Sequence, residues 1–192
     1  MLAASDYDKV NEEWEAFRKG TTFGPEICDI EQQRYAVAMF PSFKPSIEYP
    51  NVAIREETIP VTEPKGEIKV RIYAPTDVQG PYPLVMLYHG GGWIAGDLET
   101  EDAVCKNISS QAHAMVINVG YRLAPVYKYP VPVNDSWDAL TWAIQNASIL
   151  NIDTSKVAVT GSSAGGYMAL VMAAKDIDED THYISSSLPF NR

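Results

Sequence analysis

Three short apolar runs recur along the chain, and a segment with helical spacing separates each run from the next. The first run, residues 84–88, is continuous; the second lies in the predicted strand 115–119, and the third is Val157-Ala158-Val159 in the predicted strand 156–160. A strand that is apolar along its whole length is buried on both faces, which is the rule in parallel sheets covered by helices. Strands that alternate with helices therefore predict an α/β fold with a mostly parallel sheet.

The elements around these runs follow from turn and helix signals. Residues 53–61 and 67–73 flank Pro64-Lys65-Gly66, which predicts an antiparallel hairpin before the parallel part begins. One helix is predicted over residues 99–113, and another over residues 164 to about 175. Between them, a further helix is predicted to begin at a cap formed by Asn134 or Asp135. The sheet therefore opens with a hairpin and continues as alternating strands and helices.

The first fifty residues differ from the rest because they carry helical rather than strand patterns. Val10, Trp14 and Phe17 are spaced as one face of a helix, and residues 27–39 form a weaker helical stretch. We expect a helical cap-like segment at 1–50, an α/β core at 51–175 and a disordered or irregular tail at 176–192. Whether the first segment is a lid or packs against the core stays open.

Composition narrows the possible partners. A formal net charge of −10 and a pI near 4.7 argue against nucleic acid and anionic membranes as partners. No run approaches the roughly 20 apolar residues of a membrane span, and the first residues do not resemble a secretion signal. Cys28 and Cys105 lack metal-ligand spacing, so two buried thiols are expected. We expect a cytoplasmic protein without a metal.

The sequence GSSAGG at residues 161–166 follows the last apolar run and precedes a predicted helix. It matches the pattern G-x-S-x-G in the strand–turn–helix context that a nucleophilic serine requires. Small residues, including Gly161 and Gly165, allow a tight turn that exposes the hydroxyl of Ser163. The amide of Ala164 then begins the helix and is a candidate donor to an oxyanion.

A second glycine-rich stretch, His89-Gly90-Gly91-Gly92-Trp93, follows the strand at 84–88. Glycines allow backbone amides to approach a ligand closely, and acyl transfer needs such donors for the developing negative oxygen. A flexible loop or a phosphate cradle is the alternative, but the Lys-Ser/Thr pair of a Walker-type loop is missing. Together, the two stretches favour an acyl-transfer site.

These motifs, with Tyr121-Arg122-Leu123-Ala124-Pro125 between them, resemble the hormone-sensitive-lipase-type branch of the α/β-hydrolases. The resemblance covers about residues 52–175, and the motifs stand in the family's order. It implies hydrolysis of carboxylic esters without a cofactor. It also implies that Ser163 is the nucleophile and that Gly90, Gly91 and Ala164 form the oxyanion hole, supported by His89, Gly92, Gly161 and Gly165.

The chain departs from the family's pattern at two places. Ser162 stands where the family commonly has an acidic residue just before the nucleophile. The triad acid and histidine come after the serine in this family, on loops after later strands, and only residues 164–192 follow Ser163. We therefore expect a chain truncated at its C-terminus. Asp176, Asp178 or Asp180 with His182 stand in the right order, but a solvated tail is the favoured interpretation.

The remaining polar residues of the motifs have structural interpretations. Arg122 is expected to anchor its loop on Asp135 or Asp138, since a guanidinium has no proton to give at neutral pH. The ring of His89 is expected to hydrogen-bond nearby backbone and to shape the glycine loop. His113 lies at a predicted helix end, where the helix dipole favours it.

Three functions stay open at this point. The first is an ester hydrolase by descent, weak or inactive as this chain. The second is a non-catalytic small-molecule-binding protein, because plant gibberellin receptors share the fold and lack a working triad. The third is a bare interaction domain. If the strand at 156–160 is an uncovered sheet edge, self-association is also expected.

Overall fold

The computed structural model describes residues 48–190, where strands and helices alternate along the chain. The strands are β1 (Val52–Thr62), β2 (Lys65–Pro75), β3 (Tyr82–Tyr88), β4 (Met115–Gly120), β5 (Ile152–Ser162) and β6 (Ser186–Phe190). The helices are α1 (Asp102–Ala112), α2 (Val131–Gln145), α3 (Ala147–Leu150) and α4 (Ala164–Asp178). The cap-like segment predicted for residues 1–50 lies almost entirely outside the described residues.

The first two strands form the predicted antiparallel hairpin. Their register runs from Val52 opposite Pro75 to Thr62 opposite Lys65, so the strands are paired along their whole length. The turn falls at Glu63 and Pro64, one residue before the position predicted from the sequence. The hairpin prediction is confirmed.

The six strands form one mixed sheet in the order β1-β2-β4-β3-β5-β6. β2 pairs with β4 antiparallel, whereas β3 pairs in parallel with both β4 and β5. The carboxyl ends of β3 and β5 therefore meet at the same edge of the sheet, with Tyr88 opposite Gly161. The predicted α/β architecture is confirmed, and it places the loops after β3 and β5 next to each other.

Helices cover both faces of the sheet, which explains why the central strands are largely apolar. One face packs against α2 and α4, where Leu140, Met168 and Met172 are buried in the larger core cluster. The other face packs against α1, whose Cys105 joins a smaller cluster with Tyr73. Among residues 48–190, no helix is long and apolar enough to cross a membrane.

The predicted cap of the second helix is wrong. α2 begins at Val131, with Pro130 at the N-cap position and Pro132 in the first turn, so Asn134 and Asp135 lie inside the helix. Proline suits a first helical turn, where its missing N–H has no intrahelical acceptor to lose. The carboxylate of Asp135 accepts instead from the guanidinium of Arg122. Asp135 is one of the two partners that the sequence predicted for Arg122.

The predicted irregular tail is wrong for much of its length. α4 continues to Asp178, and after a short connection the chain returns as β6, which pairs in parallel with β5. The buried carboxylate of Asp176 holds this connection by accepting hydrogen bonds from Thr181 Oγ1, Tyr183 N and Ile184 N. The strand at 156–160 is therefore covered by β6, and the prediction that it is a bare edge is also wrong.

Candidate active site

Ser163 lies at the sharp turn between β5 and α4. Its backbone has φ 51° and ψ −117°, a conformation that residues other than glycine rarely adopt. Gly161, Ser162 and Ala164 beside it are buried, whereas Ser163 itself is exposed. The strained turn therefore lifts one hydroxyl out of an otherwise buried segment.

Gly161 and Gly165 allow this turn to press against the end of β3. A Cβ on Gly165 would lie 1.9 Å from the carbonyl oxygen of Tyr88, and one on Gly161 would lie 2.4 Å from the same atom. Backbone atoms cannot move aside as the end of a flexible side chain can. The small residues on both sides of Ser163 are thus required by the close approach of two backbones.

The glycine loop after β3 packs directly against the serine turn. A Cβ on Gly90 would lie 2.9 Å from the hydroxyl oxygen of Ser162, and Gly91 adopts φ 122°, a region that favours glycine. The amides of Gly90 and Gly91 donate to no acceptor within the described part of the chain. Unpaired backbone donors beside a candidate nucleophile are what an oxyanion hole requires.

His89 shapes this loop in the way predicted from the sequence. Its Nδ1 lies 2.8 Å from the carbonyl oxygen of Gly90, and its ring is fully buried and stacks on Tyr121 with 4.2 Å between ring centroids. Because a trans peptide directs its N–H opposite to its C=O, the amide of Gly91 points away from the His89 ring. Burial lowers the pKa of His89, so the ring is neutral at pH 7.

The Tyr121–Pro125 motif supports the glycine loop from its other side. The hydroxyl of Tyr121 donates to the carbonyl of His89 at 2.6 Å, and Ala124 N donates to the carbonyl of Trp93 at 2.9 Å. The motif is anchored in turn by Arg122, which donates from its backbone N, Nε and Nη2 to the buried carboxylate of Asp135. The motif braces the loop, as the anchoring interpretation predicted.

A pair of aromatic rings also connects the two loops. Trp93, at the end of the glycine loop, meets Tyr167 of α4 edge to face with 5.7 Å between ring centroids. Tyr167 N donates to the carbonyl of Ser163 at 3.0 Å, so the ring belongs to the first turn after the serine. Both rings remain partly exposed and form an aromatic surface next to the exposed hydroxyl.

Ala164 is the first residue of α4, so its amide has no intrahelical acceptor and lies at the positive end of the helix dipole. This amide belongs to the turn against which the glycine loop packs. The arrangement brings together Ser163, Gly90, Gly91 and Ala164, with His89, Gly92, Gly161 and Gly165 in the same two loops. The candidate nucleophile and the candidate donors thus occupy one end of the sheet.

No base reaches Ser163 within residues 48–190. His89 is buried against Tyr121, and the exposed His113 lies at the end of α1 with its Nδ1 3.6 Å from Asp77 Oδ1. His182 Nε2 lies 2.7 Å from Asp180 Oδ1 in the connection after α4, and Asp176 is committed to the same connection. The described residues therefore assemble a serine and amide donors without an acid–base pair.

Glu101 is a residue that the sequence motifs did not indicate. It lies just before α1, is buried, and its carboxylate accepts a hydrogen bond from the hydroxyl of Ser162, the residue before the candidate nucleophile. The sequence gives little signal for this contact, because 61 positions separate the two residues. A carboxylate from another loop thus lies beside position 162, where the family commonly has an acidic residue.

The cysteines, a possible metal site and the described cleft add no group to the candidate site. Cys105 is a buried free thiol, as expected, and Cys28 lies outside the described residues. Burial raises the pKa of the Cys105 thiol. Residues 48–190 contain no cluster of His, Cys, Asp or Glu that could hold a metal ion. A cleft of about 450 Å³ is lined by His89, Tyr121 and neighbouring residues, but not by Ser163.

Comparison with known proteins finds relatives that are named esterases. A family model described as the alpha/beta hydrolase fold matches residues 85–188. The carboxylesterase NlhH of Mycobacterium tuberculosis is 44% identical over 130 residues, which are 67% of this chain and 40% of that protein. The arylesterase of Saccharolobus solfataricus is 46% identical over 112 residues, or 57% of this chain and 36% of the relative.

Solved structures agree with the sequence relatives. A bacterial heroin esterase superposes with a TM-score of 0.79 at 31% identity, covering 91% of this chain and 56% of that one. The chain spans about 40% of the length of the curated relatives that it matches. The family model covers more than half of this chain and includes both loops of the candidate site. The chain therefore belongs to the alpha/beta hydrolase fold family, in the hormone-sensitive-lipase-type branch that its motifs resemble.

Proposed function

We propose that the protein is a carboxylic ester hydrolase in which Ser163 is the nucleophile. The observation that carries the proposal is the exposed hydroxyl of Ser163 on a turn with φ 51°. This turn packs against a glycine loop whose Gly90 and Gly91 amides have no acceptor within residues 48–190. The relatives that the chain matches include proteins named carboxylesterase and arylesterase, which supports an ester as substrate.

The reaction follows from the chemistry of these groups. Ser163 Oγ attacks the carbonyl carbon of the ester, and the amides of Gly90, Gly91 and Ala164 stabilise the negative oxygen that forms. Collapse of this tetrahedral species expels the alkoxide, which takes up the proton lost by Ser163 and leaves as the alcohol, so that the acyl group stays on Ser163. Water then attacks the acyl group; its oxygen leaves in the acid, and one of its protons restores the Ser163 hydroxyl. The hydroxyl proton needs a base, which residues 48–190 do not bring to Ser163.

Hydrolysis of p-nitrophenyl acetate tests the proposal. We expect a low rate that depends on Ser163, because the acyl group is transferred to the hydroxyl of this residue. Ser163→Ala should remove this rate. Ser155→Ala is the matched control, because Ser155 is exposed on β5 and hydrogen-bonds to Asp153. Equal rates in the chain and in Ser163→Ala would contradict the proposal.

A non-catalytic binding function is the second candidate. It is favoured by one observation, that no imidazole within residues 48–190 hydrogen-bonds to Ser163. Calorimetry with a non-hydrolysable ester analogue separates the two functions. Binding that survives in Ser163→Ala, without turnover in the parent chain, would favour the binding function.

The place of the protein in the cell is a further proposal. The cytoplasmic location predicted from the sequence is supported by Cys105, whose thiol is free and buried, because thiols stay reduced in the cytosol. Fractionation of cells that express the chain tests this location. Recovery of the chain in a secreted or membrane fraction would contradict it.

A further inference from the structure

We propose that Glu101 is a positioning residue, which holds the nucleophile turn against the glycine loop through the hydroxyl of Ser162. The inference rests on the proposed function of Ser163 and adds to it a residue from a third segment of the chain. The side chain of Glu101 accepts from Ser162, the residue before the reacting serine. We expect it to affect catalysis through this hydrogen bond.

The carboxylate of Glu101 is buried in the protein. Glu101 is 4% exposed, although a buried carboxylate is costly unless hydrogen bonds compensate for its lost hydration. Its backbone carbonyl accepts from Cys105 N at the start of α1, but its side chain does not cap this helix. The side chain is directed instead to the serine turn, where Ser162 Oγ donates to it.

Ser162 lies between the two loops of the candidate site. It is 6% exposed, and its hydroxyl oxygen lies where a Cβ of Gly90 would come within 2.9 Å. The contacts therefore run from the Glu101 carboxylate to the Ser162 hydroxyl and on to the backbone of Gly90. Gly90 is a candidate oxyanion donor, and Ser162 is joined by a peptide bond to the candidate nucleophile.

The turn that Ser162 precedes is strained. Ser163 at φ 51° and ψ −117° persists only if its surroundings hold it there. Helix α4 holds the turn on one side, and the Glu101–Ser162 hydrogen bond holds it on the other. Without this bond, the distance between Ser163 Oγ and the amides of the glycine loop becomes variable. A misplacement of about 1 Å at such a site can cost about 100-fold in rate.

Kinetics of four variants test the inference. We expect Glu101→Ala and Ser162→Ala each to lower kcat for p-nitrophenyl acetate by about 10–100-fold with little change in KM, because alignment and not binding is lost. Glu101→Gln keeps a side-chain oxygen that accepts from Ser162 and should restore kcat to within about 3-fold. The double variant Glu101→Ala/Ser162→Ala should be no slower than either single variant.

The matched control is Glu99→Ala, which removes an exposed carboxylate from the same loop. Glu99 pairs with Arg71 and has a half-exposed side chain, so kcat should stay unchanged. Effects of Glu101→Ala and Ser162→Ala that multiply in the double variant would overturn the inference. So would an unchanged kcat in Glu101→Ala.

Hydrogen exchange separates failure of this inference from failure of the proposed function. If the parent chain shows no hydrolysis that depends on Ser163, the proposed function fails, but the role of Glu101 in holding the turn can still be measured. Amides of residues 167–170 donate to the carbonyls of residues 163–166 in the first turn of α4. We expect these amides to exchange about 10-fold faster in Glu101→Ala and Ser162→Ala than in the parent chain, whereas Glu101→Gln should exchange as the parent chain does. Amides of α2 should not change. Unchanged exchange at residues 167–170 would overturn the inference.

Discussion

Gly165 shows how strictly one position can be constrained by the approach of two backbones. Its missing side chain lets the start of α4 lie against the carbonyl of Tyr88, where a Cβ would come within 1.9 Å. The neighbouring glycine loop contains a different case. Gly92 has open space around its Cβ position, where the nearest atom lies at 4.0 Å, but its φ of 63° favours glycine.

Substituting these two glycines separates steric exclusion from backbone strain. We expect Gly165→Ala to lower the free energy of unfolding by about 3 kcal/mol, because β3 and α4 must move apart. Gly92→Ala should cost only about 1 kcal/mol, the strain of a left-handed alanine. Urea denaturation of both variants measures the difference. Equal stabilities would show that the contact between Gly165 and Tyr88 is not restrictive.

Residues of the candidate site differ in how far the sequence reveals them. Ser163, Gly90 and Gly91 lie in short patterns with a chemical reason, so their roles could be proposed from the sequence alone. Glu101 could not, because its role depends on a contact with Ser162 across 61 positions. A carboxylate just before a helix is ordinarily interpreted as part of the helix start. Only the folded structure shows that this carboxylate accepts a hydrogen bond from Ser162 in the nucleophile turn.

At the scale of elements, continuous apolar runs predicted the central strands, whereas the last strand was missed. β6 begins with serines and carries a proline, so neither alternation nor β-branched content marks it. Its formation depends on pairing with β5 and on the carboxylate of Asp176, which binds the connection before it. Both are tertiary contacts. A prediction from local pattern therefore described this segment as irregular.

Asp176 gives a direct test of how β6 is held. We expect Asp176→Ala to release the connection from Thr181 to Ile184, because hydrogen bonds to a charged group contribute about 1.5–3 kcal/mol each. Amides of β6 should then exchange at least about 10-fold faster in hydrogen-exchange mass spectrometry.

Asp178→Ala is the control for this measurement, since Asp178 lies in the same helix but is exposed. It should leave the exchange of β6 as in the parent chain. If both variants exchange alike, Asp176 does not hold the strand.

At the scale of the whole molecule, the described sheet leaves an edge on β6. On its outer side this strand has no partner within residues 48–190, because β5 occupies the inner side. An unpaired edge is a template for pairing with another chain, although a proline in the strand weakens it. Self-association therefore stays a prediction, now assigned to β6 and not to residues 156–160.

Light scattering coupled to size-exclusion chromatography tests this prediction. We expect a mass above that of one 21.2 kDa chain, and a shift toward that mass in Ser186→Lys, since lysine on an edge strand opposes pairing. Ser155→Lys changes an exposed serine of β5 and should not shift the mass. A monodisperse monomer of the parent chain that melts cooperatively would contradict the prediction.

The proposed catalysis depends on one arrangement. When Ser163 attacks an ester, amides from two loops must converge on the carbonyl oxygen; when it attacks a phosphorus reagent, they must converge on the phosphoryl oxygen. The most direct measurement is a crystal structure of the chain after reaction with an alkyl phosphonofluoridate. We expect the phosphorus on Ser163 Oγ, with the phosphoryl oxygen about 2.7–3.1 Å from Ala164 N and from the N of Gly90 or Gly91. An adduct on Ser163 whose phosphoryl oxygen points to solvent, or an adduct on another serine, would contradict this arrangement.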